Sequence, residues 1–242
     1  MVKHAAEHLK TYLMSVLVLV GVLLLGGGFL VYMLEAPFEV GMQYAMYSAI
    51  YFLAGAMFTS TVFADYGDPK KTISALTLPA SNFEKYLVGW LVSYIIFTFV
   101  YTGVFYSILL ILINLQHQPN PPREILNLFN GQQLMIFVLF TLLHSISIFG
   151  AIFFKKLHFI KTAFSFFILI ALVTLVNTFF LQEILGQRVR PAIPFGNVDF
   201  VAYNAPRIFG ARETSFMVVY LILFISAVFW VASYFRLKEK QA

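Results

Sequence analysis

Six apolar runs, each long enough to cross a bilayer, constrain this chain more than any other feature. They cover about 13–34, 43–64, 87–115, 132–154, 161–181 and 215–235. A hydrocarbon core of about 30 Å takes roughly 20 helical residues. Inside it every backbone N–H and C=O must find a partner within the protein, so such runs fold as helices. The whole chain agrees: 60% of its 242 residues are hydrophobic and 11% charged, whereas a soluble domain is about half apolar and a quarter charged. The expected fold is therefore all-α, a polytopic integral membrane protein of six transmembrane helices forming one domain over residues 1–242. The first run is too long for a signal peptide and is followed by no small-x-small cleavage site, so it reads as an uncleaved span. The chain has no cysteine, which removes disulfides and thiolate chemistry.

Basic residues orient the spans. Lys3, Lys10, Lys70, Lys71, Lys85, Lys155, Lys156, Lys161, Arg236, Lys238 and Lys240 would lie on one side, eleven in all and including every lysine. Arg123, Arg188, Arg190, Arg207 and Arg212 would lie on the other. The positive-inside rule makes the first side cytoplasmic, with both termini there. The net charge of +5 thus belongs to membrane boundaries and does not indicate a nucleic-acid partner.

The loop between spans two and three is the best-punctuated stretch. Asp68-Pro69 is a helix start, with Asp as the cap and Pro at the first helical position. Leu78-Pro79 ends that helix. Between them Ile73 and Leu76 share a face, while Lys70, Lys71 and Ser74 are polar. Ser81-Asn-Phe-Glu84 then forms a capping box for a new helix. That helix would run from Asn82 to Leu115, about 50 Å if continuous, so it must tilt or project beyond the core. The loop at 182–214 is rich in Pro, Gly and Arg yet carries Ile193, Phe195, Phe200, Ile208 and Phe209. It is too apolar for a solvated linker, and part of it is expected to re-enter the outer leaflet before the last span.

Few polar residues lie within the spans. No Asp, Glu, Lys or Arg sits in the middle of one, which argues against proton- or ion-coupled carriers. His144 is the sole ionisable residue well inside a span. Its default reading is a bundle-facing histidine paired with a neighbouring helix, with a substrate path as the alternative. Asn114 and Asn177 are expected to bond between helices, with the same alternative. Ala45, Ala49, Ala56 and Ser60, with Gly55 beside them, suggest close contact in span two, within the chain or between two copies. Gly26-Gly27-Gly28 suggests the same for span one. His4 and His8 alone make a weak metal signal, and no metal or cofactor is expected. There is no P-loop, H-E-x-x-H or G-x-S-x-G pattern, so nucleotide binding and the commoner hydrolase chemistries have no machinery here. If ATP is used, another chain binds it.

The run Leu76-Thr-Leu-Pro-Ala-Ser-Asn-Phe-Glu-Lys85 resembles the cytoplasmic loop of ABC-2 type ABC transporter permeases, which often carry L-x-L-P-[AV]-S-x-x-E after the second span. Six spans, cytoplasmic termini and a long apolar outer loop are similar to that family as well. The resemblance implies a permease in the inner or plasma membrane of a bacterium, an exporter energised by a separate ATP-binding subunit. It also implies a second permease copy or a homologous chain as partner. Pro69 to Thr77 would be the coupling helix docking on the ATPase, so Asp68, Pro69, Lys70, Lys71, Ile73 and Leu76 become coupling residues. Pro79, Ser81 and Glu84 fall on the family's P-x-S-x-x-E positions. The chain departs from larger members in lacking an extracellular domain between spans one and two. The alternatives are an ATP-independent carrier or channel, and a non-transporting membrane scaffold or assembly protein.

Overall fold

The computed structural model describes residues 2–33, 39–67, 81–115, 124–196, 198, 200 and 212–240, with side chains outside 2–13 and 212–215. Six helices account for nearly all of it: α1 (Val2–Met33), α2 (Val40–Gly67), α3 (Asn82–Asn114), α4 (Gly131–Phe153), α5 (His158–Leu185) and α6 (Arg212–Glu239). All six are long and apolar enough to cross a membrane. Among the described residues there is no strand; an antiparallel bridge pairs Val189 with Phe200. The protein is thus all-α and multi-pass. The third helix spans 33 residues as its capping box and apolar run require, and the six runs match the six helices one for one.

The helix α4 is the hub. It packs against α2 on one side, α6 on another and α5 on a third. The remaining helices flank this core: α1 lies on the second half of α3, and α5 is exposed along most of its length. Close approaches occur where a β-carbon is missing. A β-carbon at Gly55 in α2 would collide with the Phe140 ring of α4, and one at Gly150 in α4 would collide with Thr162 of α5. Gly27 does the same work for α1, lying against Met46 and Leu112, while Gly26 and Gly28 face open space. The small-residue stripe of α2 therefore divides: Gly55, Ala56 and Ser60 are buried, whereas Ala45 and Ala49 stay exposed.

Both ends of the bundle are tied. On the face away from the termini, Gln43 of α2 clamps the segment leading into α4. Its Nε2 donates to Glu124 O at 2.9 Å and its Oε1 accepts from Leu126 N at 2.9 Å. Tyr44 Oη adds a bond to Asn127 O at 2.9 Å. On the termini face α4 turns into α5 through residues 154–157, with Leu157 left-handed at φ 53°. A non-glycine residue holds that conformation only when its surroundings require it.

Part of the apolar loop after α5 does fold back on the bundle. Gly186, at φ 61°, closes α5 by donating to Gln182 O at 3.0 Å. The chain then returns along the helix. Gln182 Nε2 donates to Val189 O at 3.2 Å, Asn177 Nδ2 donates to Ala192 O at 2.9 Å, and Ala192 N donates to Thr178 Oγ1 at 3.1 Å. Val189 and Ala192 are buried there. From Leu185 back to Asn177 is about 12 Å along the axis. The segment thus folds back along α5 by that distance, with Val189 O, Ala192 O and Ala192 N bonded to polar side chains of α5.

Candidate functional site

The interior polar groups converge on the centre of the bundle, where α2, α3, α4 and α6 meet. Tyrosines of α2 bond to threonines of α3 in antiparallel order: Tyr47 to Thr102 at 3.0 Å and Tyr51 to Thr98 at 2.8 Å. Thr98 spends its own proton on Tyr94 O at 2.6 Å, so Tyr51 is the donor of its pair. Tyr94 in turn bonds Thr141 of α4 at 2.6 Å, and Thr141 donates to Phe137 O at 2.9 Å. Tyr101 Oη donates to Tyr47 O at 2.8 Å. The rings stack along the same line: Tyr51 lies 4.2 Å from Phe140 between centroids, and Tyr94 is parallel to Phe140 at 5.8 Å. Such pairs contribute about 0.5–1.5 kcal/mol each beyond burial. This spine went unread in the sequence, although Tyr44, Tyr47 and Tyr51 recur at helical spacing.

His144 sits at the end of that spine with no exposed surface. Trp230 Nε1 of α6 donates to its Nδ1 at 3.3 Å, and its Nε2 lies 2.9 Å from Ser93 Oγ of α3. An indole N–H can only donate, so Nδ1 must accept and the proton must be on Nε2. That proton goes to Ser93 Oγ, which donates onward to Gly89 O at 2.7 Å. The result is a one-way chain, Trp230 to His144 to Ser93 to Gly89, joining three helices. The pairing reading of His144 is therefore the one found, with both ring nitrogens occupied.

Ser93 lies in a widened π turn, Leu91–Ile96, within α3. Phe97 N donates to Val92 O, five residues back. A serine hydroxyl that takes the carbonyl four residues before it loosens the regular ladder, and π turns frequently mark functional positions. Trp90, His144 and Trp230 gather around Tyr94 of this turn, with the two indoles edge-to-face at 5.4 Å.

A second polar knot closes the termini face. Lys240 Nζ donates to Tyr66 O at 2.7 Å and to Ile152 O at 2.6 Å, the last-turn carbonyls of α2 and α4. A cation at two helix C-termini satisfies orphan carbonyls and opposes both dipoles. Burial, then the charges of Arg236 and Lys155, lower its pKa below the ordinary lysine value. Gly67 admits the Ala151 and Phe154 carbonyls at the same place, and Tyr86 Oη of α3 donates to Trp230 O at 3.0 Å.

The sequence-derived residues distribute unevenly over this frame. Ser81 and Glu84 form the expected reciprocal box: Glu84 N donates to Ser81 Oγ at 3.3 Å, and Ser81 N donates to Glu84 Oε2 at 3.1 Å. Asp68, Pro69, Lys70, Lys71, Ile73, Leu76 and Pro79 lie outside the described residues. Asn114 does not bond between helices. It is exposed, and its Nδ2 donates to Leu110 O of its own helix at 2.9 Å, because its side chain reaches the preceding turn when no facing helix offers a partner. Asn177 does bond outside its helix, but to the returning segment and not to a neighbouring span. Among the described residues no cluster of His, Asp or Glu is arranged to hold a metal ion.

Fold and interior together define a multi-pass, all-α membrane protein in which a chain of polar groups through His144 joins three helices. No protein-family model, curated protein or solved structure matches the chain.

Proposed function

We propose that this chain is the membrane permease subunit of an ATP-driven transporter of the ABC-2 type, an exporter powered by a separate ATP-binding subunit and working as a pair of permease chains. The observation that carries the reading is how the described residues on either side of 68–80 are held. Gly67 before them is wedged against Ala151 and Phe154 at the end of α4. The capped first turn of α3 after them leads within one turn to Tyr86, bonded to α6. A load on this stretch therefore reaches α4 and α6 directly, and through α3 it reaches the π turn beside His144. The interior favours an external energy source: no Asp, Glu, Lys or Arg sits in the middle of a span, and His144 is bonded to Trp230 and Ser93 as a tie between helices.

The test is co-purification with an ATP-binding subunit, followed by transport and ATPase assays on Ile73→Asp with Leu76→Asp. The double variant is expected to keep the fold, release or uncouple the ATPase, and abolish transport. Normal coupled transport by that variant refutes the coupling assignment. Flux by the purified chain alone, driven by a proton or sodium gradient, refutes the ATP-driven reading as a whole.

A further inference from the structure

Between α2, α4 and α5 lies a crevice of about 350 Å³, lined by Ala49, Leu53, Leu143, Ile146, Ala163 and Phe166 among others. We infer that it holds one acyl chain of an anionic phospholipid whose headgroup rests on Lys155, Lys156 and Lys161.

The crevice exists because α4 and α5 touch where Gly150 meets Thr162, near the termini face, and part above that point. Its floor includes Ala56, Ser147 and Thr162, all buried, and Leu53 and Phe167 stand exposed at its mouth. Two lining residues carry hydroxyls, and both spend them on their own helices. Ser147 Oγ donates to Leu143 O at 2.7 Å, and Thr162 Oγ1 donates to His158 O at 2.7 Å. What remains is an apolar wall that offers water no partner, and apolar cavities of this kind stay dry.

Size selects the occupant. A methylene fills about the volume of a water molecule, so the crevice takes about a dozen, the part of a fatty chain that crosses one leaflet. A helix of about 10 Å diameter crossing one leaflet, about 15 Å, would displace more than about 1,000 Å³. The crevice can therefore enclose an acyl chain but not a helix from a second copy, which could lay only one face across its mouth. Charge selects the headgroup. Lys155, Lys156 and Lys161 are exposed at the turn where the crevice begins, and Lys161 Nζ lies 5.9 Å over the Phe154 ring. No acidic residue occurs from 154 to 182. The termini-side turns of α2 and α4 add one acid, Asp65, already engaged in an interaction of its own. Basic pockets between spans attract anionic headgroups in this way. The inference rests on the six-span fold and is independent of the transport reading.

The experiment uses the full chain purified in detergent and native mass spectrometry with phosphatidylglycerol or phosphatidylcholine of matched chains. Phosphatidylglycerol should be retained preferentially, by roughly fivefold for each lysine that reaches the phosphate. The triple variant Lys155→Gln, Lys156→Gln, Lys161→Gln should bind both lipids alike, and Ala163→Phe should weaken both. Equal retention of the two lipids by the unaltered chain overturns the inference. So does a preference that survives the triple variant or Ala163→Phe. Should Ala163→Phe fail to fold, Leu53→Cys carries the decision, since the chain has no other cysteine. A bimane label there should be quenched more by brominated phosphatidylglycerol than by brominated phosphatidylcholine. Equal quenching, or a disulfide-linked dimer of Leu53→Cys in membranes, overturns the assignment.

Discussion

Removing the serine hydroxyl at position 93 tests whether the His144 chain is a connected unit. Ser93 and His144 both have no exposed surface. In Ser93→Ala the Nε2–H of His144 loses its acceptor at 2.9 Å, and an orphaned buried donor costs about 1–3 kcal/mol. Membrane interiors reduce this figure. Interhelical bonds there average about 0.6 kcal/mol and reach about 1.7, since the unfolded chain in a micelle also finds partners. His144 is held from both sides, so the upper part of that range, about 1–1.7 kcal/mol, is expected for the Ser93–His144 coupling. The measurement is a double-mutant cycle with Ser93→Ala and His144→Phe, by equilibrium unfolding in mixed micelles of rising dodecyl sulfate content. Trp90 and Trp230 are the only tryptophans and both flank the site, so their fluorescence reports the transition. In the His144→Phe background Ser93→Ala should be nearly neutral, as Ser93 then bonds only carbonyls of its own helix, Gly89 O and Trp90 O. Nitrogen-15 spectra should show the Nε2–H tautomer. A coupling below about 0.3 kcal/mol, or a proton on Nδ1, refutes the one-way chain.

Three further perturbations probe the ties between helices. Gly150→Ala should cost about 1–3 kcal/mol by overpacking against Thr162, and Thr162→Ala should recover much of it; independent, additive effects of the two would mean that α4 and α5 do not touch there. Lys240→Met should speed hydrogen exchange in the last turns of α2 and α4, whose carbonyls it caps. Because the folded chain holds Lys240 below 10.5, the unfolded chain binds more protons in the alkaline window just under that value. Stability should therefore rise with pH there in the unaltered chain, and this component should vanish in Lys240→Met. Thr178→Val should leave Ala192 N without its acceptor, and a cysteine placed at Ala192 should label faster in that background; an unchanged rate would show that the return segment is held by other contacts.

How much of this was legible beforehand follows from the physics of each feature. The capped start of α3 could be read residue by residue, because a capping box is local: Ser81 and Glu84 meet within one turn whatever surrounds them. A fold-back after α5 was legible as a contradiction, large apolar side chains in a proline-rich loop, though not the means by which Asn177, Thr178 and Gln182 hold it. The partner of His144 was not legible. Trp230 lies 86 positions away, and nothing in either local pattern selects the other. Asn114 and Asn177 look alike in sequence and behave oppositely, since one faces open surface and the other a returning strand of chain.

By itself, then, the amino-acid order determined six membrane-length helices and the capped start of α3, while α1 and α5 run beyond their apolar segments. Apolar length and a capping box are each decided within one segment of chain. The tertiary structure alone decided which face of each helix turns inward. A soluble helix announces that face by its polar side, but a span in lipid is apolar all round and carries no such stripe. Only when Gly55, Gly67 and Gly150 let α2, α4 and α5 close up do Tyr51, Tyr94, Ser93, His144 and Trp230 come within hydrogen-bonding distance of their partners, because in the membrane it is close packing and polar pairing between helices, not hydrophobicity, that sets how they face each other.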